Sequence, residues 1–262
     1  PRELTNVDGT LFFTADDGNS GTELWMTDGT SEGTVLVKDI APGVTSAYYG
    51  DYPNSSSPSQ LTNVNGILFF AADDGTSGEE LWKSDGTQAG TVLVRDVNPG
   101  SGYQYYYGYG PYRSSPQHLT HVNGKLFFTA LTQENGEEIW MSDGTTSGTM
   151  MVKDLSPGTF VTEYGAYPYS SYPRDLIALD GSLFFTAFNT DQGEELWRTD
   201  GTEAGTTLVK DIYPGTADGL YDAGLAVYKG MLFFAADDGD HGTELWMSDG
   251  TEAGTVLVSD LS

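Results

Sequence analysis

The chain has 262 residues, 38 acidic side chains against 11 basic ones, a formal charge of −27, 13% aromatic residues and no cysteine. This length and apolar content suffice for one large β domain or two smaller ones. So negative a field repels phosphate backbones and anionic headgroups, which excludes nucleic acid and membrane insertion as expected partners, and the missing cysteine excludes disulfides and thiolate chemistry.

The first unit runs from Leu4 to Ile40. Its opening strands, Leu4–Val7 and Leu11–Ala15, are separated by Asp8-Gly9, a pair that favours the two positive-φ positions of a type I′ turn and hence a tight hairpin. Leu11, Phe12 and Phe13 are consecutive and apolar, which predicts a strand covered on both faces. "DDGNSG" then turns into a third strand, "TELWMT", and "DGTSEG" turns into a fourth, "TVLVKDI". No stretch shows a helical period.

The same 37-residue unit recurs at 61–97, 119–155, 176–212 and 225–261. All length variation falls in the connectors 41–60, 98–118 and 156–175 and in a short one, 213–224. Five four-stranded antiparallel meanders predict an all-β fold, a single five-bladed β-propeller over 1–262, because radial repetition protects sheet edges. The alternative is an open stack of the same sheets, disfavoured because the end units look like the middle ones and carry no polar caps.

"ELWMTDGT", "ELWKSDGT", "EIWMSDGT", "ELWRTDGT" and "ELWMSDGT", one per unit, resemble the bacterial ELWxxDGT repeat family. The resemblance covers all five units and implies an extracellular or cell-surface bacterial protein; it carries over no catalytic residues. "PRELTNVDG" at the start has no signal-peptide core, so a secretion signal is expected outside this segment. In blade number and aromatic content the architecture also resembles five-bladed lectin propellers.

The recurring residues read as frame. Trp25, Trp82, Trp140, Trp197 and Trp246 are expected to pack between sheets. Asp28, Asp85, Asp143, Asp200 and Asp249 are expected to close the Asp-Gly-Thr turns by accepting backbone N–H bonds. Counting back from a six-residue loop at 28–33 sets Glu23 opposite Lys38, and likewise Glu80 opposite Arg95, Glu138 opposite Lys153 and Glu195 opposite Lys210, as cross-strand ion pairs.

Function is expected on the connector side. The connectors hold Tyr48, Tyr49, Tyr52, Tyr103, Tyr105, Tyr106, Tyr107, Tyr109, Tyr112, Tyr164, Tyr167, Tyr169 and Tyr172 among Gly, Ser and Pro, the composition of adaptable binding surfaces. On the same side, Asp16/Asp17, Asp73/Asp74 and Asp237/Asp238 lie in Gly-rich turns whose hard oxygens suit Ca²⁺, the one cofactor the sequence suggests. The three histidines, His118, His121 and His241, are scattered and build no triad. The expected function is therefore a non-enzymatic recognition or adhesion module holding a glycan or surface protein through the tyrosines, with Ca²⁺ assisting. The alternative is a structural subunit whose connectors bind copies of itself into a fibre, sheath or surface layer, and a hydrolase stands third.

Overall fold

The computed structural model describes residues 1–47, 50–104, 108–163, 165–220 and 223–261. Tyr48, Tyr49, Tyr105, Tyr106, Tyr107 and Tyr164 lie outside the described residues. Among those described, every regular element is a strand: five four-stranded antiparallel sheets and three two-stranded ones.

The first sheet is the meander β1 (Arg2–Val7), β2 (Thr10–Asp16), β3 (Thr22–Thr27) and β4 (Val35–Lys38), hydrogen-bonded in that order. Asp8 and Gly9 have φ of 49° and 93°, the two left-handed positions the turn between β1 and β2 requires. The corresponding pairs Asn65-Gly66, Asn123-Gly124, Asp180-Gly181 and Lys229-Gly230 repeat this geometry. Between β3 and β4, Asp28 Oδ1 accepts the Thr30 backbone N–H at 2.9 Å and the Thr30 hydroxyl at 2.7 Å, and the Thr30 hydroxyl in turn accepts Gly33 N–H. A Cβ on Gly33 would lie 2.0 Å from Asp28 Oδ1, which is why the loop must close on a glycine. Asp85, Asp143, Asp200 and Asp249 hold Thr87, Thr145, Thr202 and Thr251 in the same way.

One register expectation fails. A β-bulge between Leu24 and Trp25 sets Lys38 opposite Leu24, not Glu23, and the same irregularity recurs in the other sheets. The extra residue turns the Lys38 ammonium toward the second sheet, where it donates to Thr91 O at 2.8 Å and lies 5.6 Å from the Trp82 ring. The proposed Glu–Lys pairs therefore do not form.

Cα proximity divides the chain into two units. One comprises Pro1–Leu126, Ala130–Thr132 and Asp143–Thr149; the other comprises Phe127–Thr129, Gln133–Ser142 and Met150–Ser262. In the first unit Phe12, Leu24, Val37 and Ile40 of the first sheet pack on Leu68, Phe70, Ala72 and Trp82 of the second. In the second unit Phe184, Leu196, Val209 and Ile212 of the fourth sheet pack on Leu232, Phe234, Ala236 and Trp246 of the fifth. Each fully buried Phe or Leu in these layers contributes about 1.5–3 kcal/mol.

The connectors are not plain loops. Val44–Ala47 pairs with Gly50–Pro53, Ser101–Gln104 with Gly108–Pro111, and Thr159–Thr162 with Gly165–Pro168, each as an antiparallel hairpin. A backbone hydrogen bond closes each hairpin at its root: Asn54 N to Gly43 O, Tyr112 N to Gly100 O and Tyr169 N to Gly158 O.

Candidate functional site

The connector roots are organised by a carboxyl buried in every sheet. Glu23, Glu80, Glu138 and Glu195 have no exposed surface, and Glu244 has 6%. Glu138 accepts Leu155 N–H at 3.1 Å, where the connector begins, and Ser171 N–H at 3.0 Å, where it ends, while the Ser171 hydroxyl donates at 2.6 Å. Glu23 binds Ile40 and Ser56 in the same manner, and Glu80 binds Val97 and Ser114. One side chain thus clamps both ends of a hairpin. Burial outweighs these hydrogen bonds and pushes Glu80 up to about 7 and Glu138 up to about 8, with Glu23 raised for the same reason.

The fourth sheet breaks this pattern. Its connector, 213–224, forms no hairpin among the described residues, and Gly219 occupies the place of Ser56, Ser114 and Ser171. Glu195 Oε1 accepts Tyr213 N–H at 3.1 Å, but Oε2 is left buried without a hydrogen-bond partner. Burial carries this carboxyl up to about 8.

Beside it stands a second, accessible carboxyl. Glu194 lies half-buried at the start of strand Gly193–Thr199 and accepts the hydroxyl of buried Thr186 at 3.3 Å. Asp218, exposed, accepts the Glu194 backbone N–H at 2.8 Å through Oδ1, where the first and third sheets use the hydroxyls of Ser55 and Ser170. Burial pushes Glu194 above the usual glutamate range; Arg174 and Thr186 pull it back, and Asp218 and Asp175 push it further. A carboxyl raised by burial with other carboxyls near it is the kind of arrangement used by a general acid and a carboxyl partner. Sequence reading missed it because the repeat hides it. Its one signal was that Asp218-Gly219 replaces the Ser-Ser found in the first and third units.

The residues singled out by sequence are dispersed. Tyr103 and Tyr109 face each other across one hairpin at 76% and 79% exposure, and Tyr52, Tyr167 and Tyr172 are also exposed. Phe160 stacks on Tyr167 with ring centroids 5.8 Å apart, while Tyr112 and Tyr169 are half-buried at hairpin roots. The paired aspartates serve their own turns. Asp16 Oδ1 accepts Gly18 N–H, and Asp17 Oδ1 accepts Asn19 and Ser20 N–H. Asp73 accepts Gly75 N–H and pairs with Arg113 at 2.6 Å, and Asp74 holds Thr76 and Ser77. Asp237 accepts Gly239 N–H, and Asp238, drawn down to about 2 by His241, pairs with that imidazole at 2.9 Å. Among the described residues no group of three or more His, Asp or Glu side chains is placed to hold a metal ion. Among the described residues no helix is long and apolar enough to cross a membrane.

No protein-family model and no curated protein matches the chain. Solved structures do. TolB from Acinetobacter baumannii is 13% identical over 94% of this chain, with a TM-score of 0.33, and the match spans 63% of the TolB chain. An α-L-arabinofuranosidase from Clostridium thermocellum ATCC 27405 is 16% identical over 78% of this chain and 71% of its own, with a TM-score of 0.34. An endo-arabinase from Bacteroides thetaiotaomicron VPI-5482 is 12% identical over 99% and 95%, also with a TM-score of 0.34. The expectation of a non-enzymatic recognition or adhesion module is corrected on this finding, since two of the three are named as enzymes. At these TM-scores the likeness carries no activity over to this chain.

Proposed function

We propose that the chain is a carbohydrate-cleaving hydrolase carried on propeller-type blades, five in number, of a secreted or cell-surface bacterial protein of the ELWxxDGT kind. The observation that carries the reading is the fourth-sheet exception. In a repeat protein the recurring residues build the frame, and chemistry is sought where one copy departs from the rest. Here the departure is Asp218-Gly219, which sets Asp218 at the Glu194 backbone N–H; Arg174, Asp218 and Asp175 all act on the half-buried Glu194 carboxyl, whose counterparts in the second and third sheets are Glu79 and Glu137.

Glu194, raised by burial, donates its proton to the leaving glycosidic oxygen as the bond from that oxygen to the anomeric carbon breaks, and a water that gives a proton to the Asp218 carboxylate bonds to that carbon in its place. Arg174 holds the local negative charge in check. Tyr172, 50% exposed and two residues before Arg174, offers an aromatic face for a sugar ring. With a net charge of −27 the chain disfavours polyanionic substrates, so the substrate is a neutral glycan.

The test is release of reducing ends from neutral oligosaccharides and polysaccharides by the purified chain, with Glu194→Gln and Asp218→Asn beside it. The reading predicts activity that falls at least about a hundredfold in Glu194→Gln with unchanged thermal unfolding. Full activity in both variants, or none in the native chain across neutral glycans, would refute it.

A further inference from the structure

The residue after each recurrent tryptophan changes from unit to unit: Met26, Lys83, Met141, Arg198 and Met247. Where it is a cation, it reaches the glycine of the next Asp-Gly-Thr turn. Lys83 Nζ donates to Gly144 O at 2.7 Å, and Arg198 Nη1 donates to Gly250 O at 3.1 Å. A phenylalanine from the cation's own sheet seats that glycine: a Cβ on Gly144 would lie 3.1 Å from Phe69 Cζ and 3.8 Å from Lys83 Cδ. The carbonyl of this glycine is thus built to accept a charge-assisted hydrogen bond from an ammonium or a guanidinium.

Between the first and second sheets the same frame ends in a thioether. A Cβ on Gly86 would lie 3.4 Å from Phe12 Cζ and 3.5 Å from Met26 Sδ, so Phe12 and Met26 follow the course of Phe69 and Lys83. The methionine sulfur takes the place of the lysine Cδ, and the methyl beyond it has no proton to donate. Here lies a cavity of about 400 Å³ whose walls include Phe12, Met26 and Gly86, together with the carboxyls of Asp8 and Asp85.

The charge around the cavity follows the same logic. Asp8 Oδ2 leans over Gly66, 2.6 Å from where a Cβ would stand. Asn65 takes the place of Asp8 in the unit that carries Lys83, and Asn123 takes it in the unit that carries Met141. Asp180 shares its unit with Arg198, and Lys229 shares its unit with Met247. The first unit alone combines an acid in the first turn with a methionine after the tryptophan. Asp85 adds a second carboxylate, held below the usual aspartate range by the hydroxyl and N–H of Thr87, with Lys83 a weaker pull.

We propose that this cavity binds an organic cation, an ammonium or guanidinium head on a short apolar stem. The head donates to Gly86 O between Asp8 and Asp85, and the stem lies along Phe12 and Met26, the course the Lys83 stem takes beside Phe69. Every residue of the site belongs to the first unit, and none is shared with the Glu194 carboxyl and its neighbours. The net charge of −27 concentrates such cations at the surface, and salt screens that attraction.

Titration of the full chain with n-propylammonium and with n-propylguanidinium chloride, followed by amide chemical shifts, tests the site. Sodium chloride of equal ionic strength and 1-propanol serve as controls. Both cations are expected to give saturable shifts centred on Asp8, Gly66, Gly86 and Thr87, with a dissociation constant on the order of 1 mM that rises with salt. Asp8→Asn keeps a residue that the matching turns already hold at positive φ, in Asn65 and Asn123, and is expected to weaken binding about fivefold. Met26→Lys is expected to set its own ammonium on Gly86 O, as Lys83 does on Gly144 O, so that binding is lost and the thermal midpoint rises. An acetylated and amidated Gly-Lys-Gly peptide separates the sources of the cation. Tighter binding than n-propylammonium assigns the site to a basic side chain of a protein, and weaker binding assigns it to a free amine. The proposal is overturned by shifts that do not saturate up to about 100 mM, by equal shifts with 1-propanol or sodium chloride, or by binding undiminished in Met26→Lys.

Discussion

Replacing Glu138 with Gln separates the two roles of the buried carboxyl, hydrogen bonding and charge. The native side chain accepts two backbone N–H bonds and a hydroxyl with its two oxygens. Gln keeps the shape but offers one acceptor oxygen, so a buried backbone donor loses its partner, at a cost of about 1–3 kcal/mol. The charge acts oppositely. A glutamate ionises near pH 4.3 when unfolded and at about 8 here, so the unfolded state loses its proton first. The folded state therefore binds more protons between those values, and native stability falls as pH rises through that window. At about 1.4 kcal/mol per unit, the penalty accumulated by pH 9 is roughly 5 kcal/mol, and Gln escapes it. Urea unfolding at pH 5 and pH 9 should show Glu138→Gln less stable than the native chain at pH 5 and equal or more stable at pH 9. A stability difference identical at both pH values would show that Glu138 is ionised throughout, and the desolvation argument would fail.

Two further outcomes follow from the packing and from the missing serine. Trp82→Ala should cost about 3–5 kcal/mol in urea unfolding, and Trp25→Ala distinctly less, because Trp82 is sealed between two sheets while Trp25 lies on a half-open face; equal losses would refute that contrast. Gly219→Ser should raise stability by about 1 kcal/mol by giving Glu195 Oε2 the hydroxyl that Glu23, Glu80 and Glu138 receive. The new Cβ approaches Glu195 Oε1 at 2.3 Å, so that side chain must shift, and a lower midpoint would show that it cannot.

The features read correctly from sequence are local ones. Asp8-Gly9 announces its turn because two adjacent residues tolerate positive φ, and the four-stranded meander follows from alternating apolar runs and glycine turns. The Glu23–Lys38 pairing was misread because a bulge shifts the ladder by one residue, and no side chain in "ELWMTDGT" marks where the extra residue falls. The connector hairpins were missed because Gly and Ser dilute the strand signal of Tyr, and their pairing depends on clamps such as Glu23 that lie far away in sequence.

Sequence alone determined the repeat, the strand order, the turn chemistry and the strongly negative charge, since each depends on neighbouring residues or on composition. Tertiary structure alone decided that the recurrent glutamates are buried clamps and that Asp218 takes the Glu194 backbone N–H. It also decided how successive faces pair, with Leu24, Val37 and Ile40 against Leu68, Phe70 and Trp82. Five nearly identical segments cannot declare which face of one packs on which face of the next, because burial belongs to the arrangement of sheets and not to the residues that line them.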